Sequence, residues 1–291
     1  KGEFKMKKLK LIILLGVILT TLTGCIKKDS YDNITIYTTV YPIEYITDYL
    51  YGSHSEIYSI YPNGADINNY TITNKKLNDF AKADMFIYNG LVSEKDVAAN
   101  LINKNSKMDI IDVSKGLEIK NNVTELWLSP SNFLMMTSNV KNGLKDFITN
   151  SNISDSVDQK YEELKLTMSE LDAELKIVAE STSNKRIITA DNAFKFLEKY
   201  GFEVISISSS DENSNTNISK AKNYFSTKTN SYLFKLSDTE ENDTIKSLVS
   251  SGATIVNVPN MYTLTEEQRK NNVDYVSLIK NFIESIKSEV Y

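Results

Sequence analysis

Apolar positions recur with two periods along most of this chain. Short runs rich in β-branched and aromatic residues occupy 34–41 (ITIYTTVY), 56–61, 84–88 and 108–113, and read as strands. Between them, apolar residues recur every three or four positions. Ile43, Ile46 and Leu50 predict a helix from Pro42 to Tyr51, ended by Gly52. Leu77 and Phe80 mark a short helix over 74–81, capped by Thr73 or Asn74, and another helix is expected over 94–103. Pro62, Asn63 and Gly64 break the second strand, and Asn89-Gly90 ends the third. Strict alternation of strand and helix predicts a parallel sheet with crossover helices.

A longer loop, 115–129, holds the only tryptophan, Trp127. Ser129-Pro130 then opens a helix to about Thr149, with Phe133, Met136, Val140, Leu144 and Phe147 in step. The segment 154–181 lacks Gly and Pro and carries a stripe of Tyr161, Leu164, Met168, Leu171, Leu175 and Val178. At 1.5 Å per residue it makes a rod of about 40 Å. Such a stripe suits a helix packed on one domain, a coiled-coil dimer or a rod spanning two lobes. The alternation that resumes after it favours the last. Strands are predicted at 186–190, 203–208, 232–236 and 254–258, with helices over 193–200, 218–225, 239–250 and 273–290. The polar run 208–217 (SSSDENSNTN) reads as a loop. The expected architecture is α/β: two lobes, 34–150 and 184–291, each a parallel sheet with crossover helices, joined by the helix 154–181.

With 291 residues and a net charge of −5, the chain is long enough for two domains and too acidic for a nucleic-acid partner. The N-terminus adds a compartment. Met6-Lys7-Lys8-Leu9-Lys10 is a basic segment, 11–21 an apolar one too short to span a membrane, and Leu22-Thr23-Gly24-Cys25 follows. This resembles a bacterial lipobox. It implies a signal peptide over 1–24 (with 1–5 an upstream remnant), lipidation of Cys25, and a tether over 25–33. Cys25 is the only cysteine, so no internal disulfide can form.

In an α/β sheet, loops at the carboxyl ends of strands form ligand sites. One such loop, 62–70, holds Pro62, Gly64, Asp66 and Tyr70. This frame resembles the Pro-Pro-Gly-x-Asp-Pro-His-x-Tyr loop of the zinc/manganese-type (cluster A-I) substrate-binding lipoproteins of ABC transporters. Further pieces of the resemblance are Trp127-Leu128-Ser129-Pro130, 191–201 (DNAFKFLEKYG), 264–267 and Asp274-Tyr275. It extends from Ile34 to about Ile286. It implies a monomeric protein on the extracytoplasmic face of a bacterial membrane, held there by its lipid. Such a protein captures a divalent cation, manganese or zinc, between its lobes and passes it to an ABC permease.

The resemblance also implies four ligand positions, each altered here. Asn68 stands where the loop has His, and Glu125 stands before Trp127 where the family has His. Asp191 matches the acidic version of the third position, and Asn260 is nearest to the fourth, usually Asp. Each has a plainer role open to it: Asn68 bonding its own loop, Glu125 in solvent, Asp191 capping a helix. The only histidine, His54, lies in a turn away from these positions. Asn, Glu and Asp offer oxygen donors, which suit manganese, calcium or magnesium over zinc. A related scaffold that binds no transition metal, and serves another ligand or a surface interaction, is the alternative. The sequence contains no nucleophile elbow, phosphate loop or dinucleotide fingerprint, so no enzyme is expected.

Overall fold

The computed structural model describes residues 32–291. The expected signal peptide and Cys25 therefore lie outside the described residues. β-Branched and aromatic runs form two four-stranded sheets, each parallel throughout. The first contains β1 (Ile34–Thr38), β2 (Ser55–Ser59), β3 (Met85–Tyr88) and β4 (Asp109–Asp112), in the order β2-β1-β3-β4. The second contains β5 (Arg186–Thr189), β6 (Glu203–Ser206), β7 (Tyr232–Leu236) and β8 (Thr254–Val258), in the order β6-β5-β7-β8. The two sheets share one topology. In each, the chain steps one way from the first strand and then crosses back to its other side. A crevice opens at that switch point, between the carboxyl ends of the first and third strands.

Helices close each crossover. α1 (Tyr41–Tyr51), α2 (Asn74–Phe80), α3 (Glu94–Lys104) and α4 (Pro130–Phe147) belong to the first lobe. The expected strand over 34–41 stops at Thr38, because Val40 is the N-cap of α1 and Pro42 presets its first turn. In the second lobe, 192–200 is a 3-10 helix: Phe194, Leu197 and Tyr200, three apart, line its buried side. α6 (Ser214–Ser226) begins inside the polar run expected to be a loop. Its first turn is held down by Ser214 Oγ donating to the Ile207 carbonyl (3.1 Å) and Asn217 Nδ2 to the Ser206 carbonyl (2.8 Å). α7 (Asp243–Ser250), α8 (Glu266–Lys270) and α9 (Tyr275–Val290) complete the lobe. No helix among the described residues is long and apolar enough to cross a membrane.

α5 (Ser151–Ser181) is the long helix, 31 residues and so about 46 Å. Asn150 starts it, its side chain accepting from the N–H groups of Asn152 and Ile153. Ile153, Val157, Leu164, Met168, Leu171, Leu175 and Val178 form its buried stripe. That stripe lies in one continuous core joining Ile36, Phe133 and Leu144 of the first lobe to Ile187, Phe194 and Phe282 of the second. The opposite face of each sheet has its own smaller cluster, around Phe86 and Leu101 in one lobe and around Phe225 and Leu248 in the other.

The lobes are also fastened by the segment 260–275 of the second, which lies on the first. Tyr275 is fully buried, stacks on Phe133 (3.7 Å between centroids, 9° between planes) and donates from its hydroxyl to the Trp127 carbonyl at 2.5 Å. The Tyr41 and Gly64 N–H groups donate to the carbonyls of Tyr262 and Leu264, each at 3.0 Å. Arg269 grips Glu44 with two hydrogen bonds of 2.7 and 2.8 Å, a bidentate geometry that fixes direction as well as distance.

Tyr275→Ala should destabilise the protein by about 3–5 kcal/mol, as loss of a large buried ring does. Tyr275→Phe should cost about 1–3 kcal/mol, the penalty of an unpartnered buried carbonyl. Denaturant titration checks both; a loss below about 1 kcal/mol for Tyr275→Ala would contradict the packing.

Glu289, near the end of α9, accepts from Asn230 Nδ2 (2.6 Å) and the Ser231 and Tyr232 N–H groups (3.1 and 3.0 Å), tying that end to the start of β7. Burial holds its carboxyl above the usual range, and these donors pull it partly back. Folding therefore favours the protonated form. The contribution is complete below the ordinary value of 4.5 and is lost as pH rises through the folded value. The melting temperature of wild type minus that of Glu289→Gln should fall as pH rises from about 4 to 7. A difference that does not move with pH would show that Glu289 titrates normally.

Candidate functional site

The carboxyl ends of both sheets face the seam between the lobes, and each switch point presents a carboxyl group. In the first lobe, β1 runs into Thr39-Val40 and β3 into Asn89, Gly90 and the start of α3. Between them lies a cavity of about 260 Å³. Val40, Tyr61, Asn89 and Glu94 line it from the first sheet's loops, Asn68 lies at its rim, and Trp127 and Tyr262 complete the wall. Tyr262 comes from the second lobe, carried there by the segment after β8.

Glu94 is the first residue of α3, where a carboxylate ordinarily stabilises the helix dipole from solvent. Here it is 4% exposed. Burial pushes its carboxyl up to about 8, while the Asn89 N–H and Thr39 hydroxyl pull it down. Its Oε2 has no hydrogen-bond partner, nor does Thr39 Oγ1. The Thr39 hydroxyl thus stands close enough to favour the ionised form without reaching hydrogen-bond geometry. Among the described residues the only other buried side-chain atom in this condition is Arg186 Nε, which has a carboxylate oxygen of Glu203 at 3.5 Å.

In the second lobe, Asp191 follows β5 after Ala190 and reaches across the switch point to the end of β7. Its Oδ2 accepts from the Leu236 N–H (2.8 Å) and its Oδ1 from the Thr239 hydroxyl (2.6 Å). Burial raises its pKa, the two hydrogen bonds oppose that, and the charges of Asp238 and Glu125 raise it further. The Asp191 side chain does not cap the following 3-10 helix. Its bonds instead knit β5 to β7.

Glu125 lies just before a short 3-10 turn, Leu126–Leu128. Its carboxylate accepts from the Tyr262 hydroxyl and, at 3.1 Å, from the Thr124 hydroxyl. Burial and then this carboxylate hold the Tyr262 phenol in its protonated form far above ordinary pH. Glu125 also borders a second cavity of about 230 Å³, shared with Asn132, Asn192, Lys195 and Glu198. Lys195 is paired there with Asp211 at 2.5 Å.

Asn68 is exposed. Its N–H donates to Asp66 Oδ1 at 3.0 Å, so it does bond within its own loop, while its side chain stays at the rim of the first cavity. Asn260 is turned elsewhere: Oδ1 accepts from the Tyr262 N–H (3.1 Å), its carbonyl accepts from Trp127 Nε1 (2.9 Å), and it borders a separate cavity with Ser237 and Asp238. Asn68 and Glu125 thus come together around Tyr262, and Asp191 lies within the electrostatic reach of Glu125. Asn260 supports Tyr262 and Trp127 from behind. Among the described residues, no three His, Cys, Asp or Glu side chains form a ready metal cluster. His54 pairs with Asp32 (3.1 Å) at the amino end of β2, the opposite edge of the sheet.

One participant escapes sequence reading. Glu94 looks like an ordinary acidic first-turn residue. Its place just past the carboxyl end of β3 is the one signal that could have singled it out. Tyr262, one of 17 tyrosines, is legible in the sequence as a tyrosine near a predicted loop end, where aromatic residues can face a cleft.

The family model for the zinc-uptake complex component A, periplasmic (ZnuA), matches residues 36–289. A curated relative, the high-affinity zinc uptake system protein ZnuA of Bacillus subtilis (strain 168), is 22% identical over 89% of this chain and 88% of its own length. The metal-dependent lipoprotein YcdH from Bacillus subtilis superposes with a TM-score of 0.74 at 19% identity, over 89% of this chain and 99% of its own. The Zn(II)-bound ZnuA-like domain of Streptococcus pneumoniae AdcA gives 0.72 at 18% identity, over 89% and 99%. The periplasmic zinc-binding protein TroA from Treponema pallidum gives 0.67 at 17%, over 88% and 99%. These likenesses share the two-lobed fold described above, and the family match covers nearly all of it: the chain belongs to the ZnuA family of periplasmic zinc-uptake components.

Proposed function

We propose that this protein captures a divalent cation, manganese or zinc, in the cleft between its lobes and delivers it to an ABC-type membrane permease. Membership of a zinc-uptake family supports that role. The observation that carries it is that Glu125 and Asp191, one from each lobe, lie within electrostatic reach, the charge of Glu125 adding the smallest of five contributions to the raised pKa of Asp191. Two carboxylates brought together repel unless a cation or a proton joins them. The donors nearby, Asn68, Glu125, Asp191 and the Thr124 and Tyr262 hydroxyls, are all oxygens. Such a set binds hard cations and favours manganese over zinc when compared with an imidazole site. Asn260 acts here through Tyr262 and not as a ligand. The protein works as a monomer on the extracytoplasmic face of the cell membrane, anchored by lipid on Cys25.

The long α5 and the fastening by 260–275 support a mode of action with little lobe movement. Domain closure elsewhere relies on a few residues that absorb large backbone changes. Here many cross-lobe bonds would have to break first.

Calorimetric titration of the purified protein with Mn²⁺ or Zn²⁺ should give saturable binding below millimolar concentration. Glu125→Gln and Asp191→Asn should each weaken it about threefold or more, somewhat under 1 kcal/mol or beyond. Absence of saturable binding by either ion would remove the cation reading and leave a scaffold serving another ligand. In small-angle scattering, saturating cation should change the radius of gyration by less than about 1 Å; a larger change would mean hinge closure.

A further inference from the structure

We infer that Glu94 is a ligand of the captured cation, which sits in the cavity that Glu94 shares with Asn68, Asn89 and Tyr262. This rests on the cation-capture reading above and names a donor that the family ligand positions do not include. Hydrogen-bond supply sets Glu94 apart. Glu125 and Asp191 each have protein donors on their carboxylates. The Asn89 N–H and the Thr39 hydroxyl act on the Glu94 carboxyl, but its Oε2 has no hydrogen-bond partner although the side chain is 4% exposed. A buried polar atom without a partner costs about 1–3 kcal/mol, and more if charged. Native folds keep such atoms chiefly where a ligand, water or ion completes them.

The surroundings select the sign of that ligand. Among the described residues no Lys, Arg or His lines this cavity, and the polar groups of its side chains are a carboxyl, two carboxamides, hydroxyls and the Trp127 indole N–H. The Glu125 cavity differs in mixing signs: Lys120 and Lys195 line it together with Glu118, Glu125 and Glu198. Tyr61, Trp127 and Tyr262 also line the Glu94 cavity and bring no positive group. Thr39, fully buried and also lacking a partner, faces the same carboxyl from the end of β1. A volume of about 260 Å³ accepts a cation with part of its hydration shell, at about 30 Å³ per water.

Placement in the fold agrees. The cavity lies at the switch point of the first sheet, between the ends of β1 and β3. It is closed by Tyr262 from the second lobe, so a cation there touches both lobes while its anionic ligand belongs to the rigid first one. Glu94 then supplies a negative charge that the neutral Asn68 carboxamide does not.

The test is calorimetric titration of the intact protein with Mn²⁺ and with Zn²⁺, in wild type, Glu94→Gln and Thr39→Val. Glu94→Gln preserves volume and should weaken binding of the better ion at least about tenfold. Its melting temperature without cation should equal or exceed that of wild type, while the cation-induced rise in melting temperature should be lost. Thr39→Val should weaken binding about threefold, and it decides the matter alone if Glu94→Gln fails to fold. Wild-type binding with unchanged affinity in the variants overturns this inference and leaves the cation reading standing. No binding by wild type removes the cation reading, and the inference falls with it.

Discussion

The stack of Tyr275 on Phe133 is the contact on which the geometry of the cleft depends. Tyr275 opens the last helix of the second lobe, while Phe133 lies in the first turn of α4 in the first. Burying both rings removes a large apolar area from water. The hydroxyl bond to the Trp127 carbonyl then sets the direction of the join. With that point fixed, the preceding segment has little choice but to cross the first lobe, where Tyr262, Leu264 and Arg269 find their partners. The α5 rod sets the spacing of the lobes from the side, and this seam sets their approach.

That constraint explains how a buried carboxyl can exist at the site. Glu94 would stand in solvent at the head of α3 if Tyr262 and Trp127 did not close its cavity. Tyr262 serves both lobes. Its N–H is held by Asn260, its carbonyl by Tyr41 and its hydroxyl by Glu125. Three anchors on one residue make it a fixed wall, not a mobile lid. The stability of the seam, a packing property, thereby becomes the preorganisation of the site.

Much of this is legible in the sequence because the core obeys simple periods. Period-two and period-3.6 runs give eight strands and the main helices, and the stripe along α5 follows Leu164, Met168, Leu171, Leu175 and Val178 as written. Tyr161 is only partly buried, and the stripe begins earlier, at Ile153 and Val157. Short elements are harder. α8 announces itself by the Thr265–Gln268 capping box, but five residues leave no apolar period. The start of α6 is hidden because its first turn is held by polar bonds to the β6 edge, where pattern reading looks for apolar contacts. The site is least legible of all. Position along the chain singles out Asn68, Glu125 and Asp191 as candidates, but which oxygens already have donors is a tertiary fact that no motif encodes.

Imidazole and carboxylate donors differ in what they need when no cation is bound. An imidazole supplies a neutral donor that stays in place with or without a cation. A carboxylate in the same cleft must instead be stabilised when the cation is absent. Glu125 and Asp191 meet that need with hydroxyl and amide donors, and a cation must compete with those donors for the same lone pairs. Burial pushes the Glu94 carboxyl up to about 8, with the Asn89 N–H and the Thr39 hydroxyl opposing that shift, yet its Oε2 accepts no hydrogen bond. A group that meets that oxygen need not displace a donor from it, whereas the oxygens of Glu125 and Asp191 are already committed to Tyr262, Thr124, Leu236 and Thr239 and to knitting the fold.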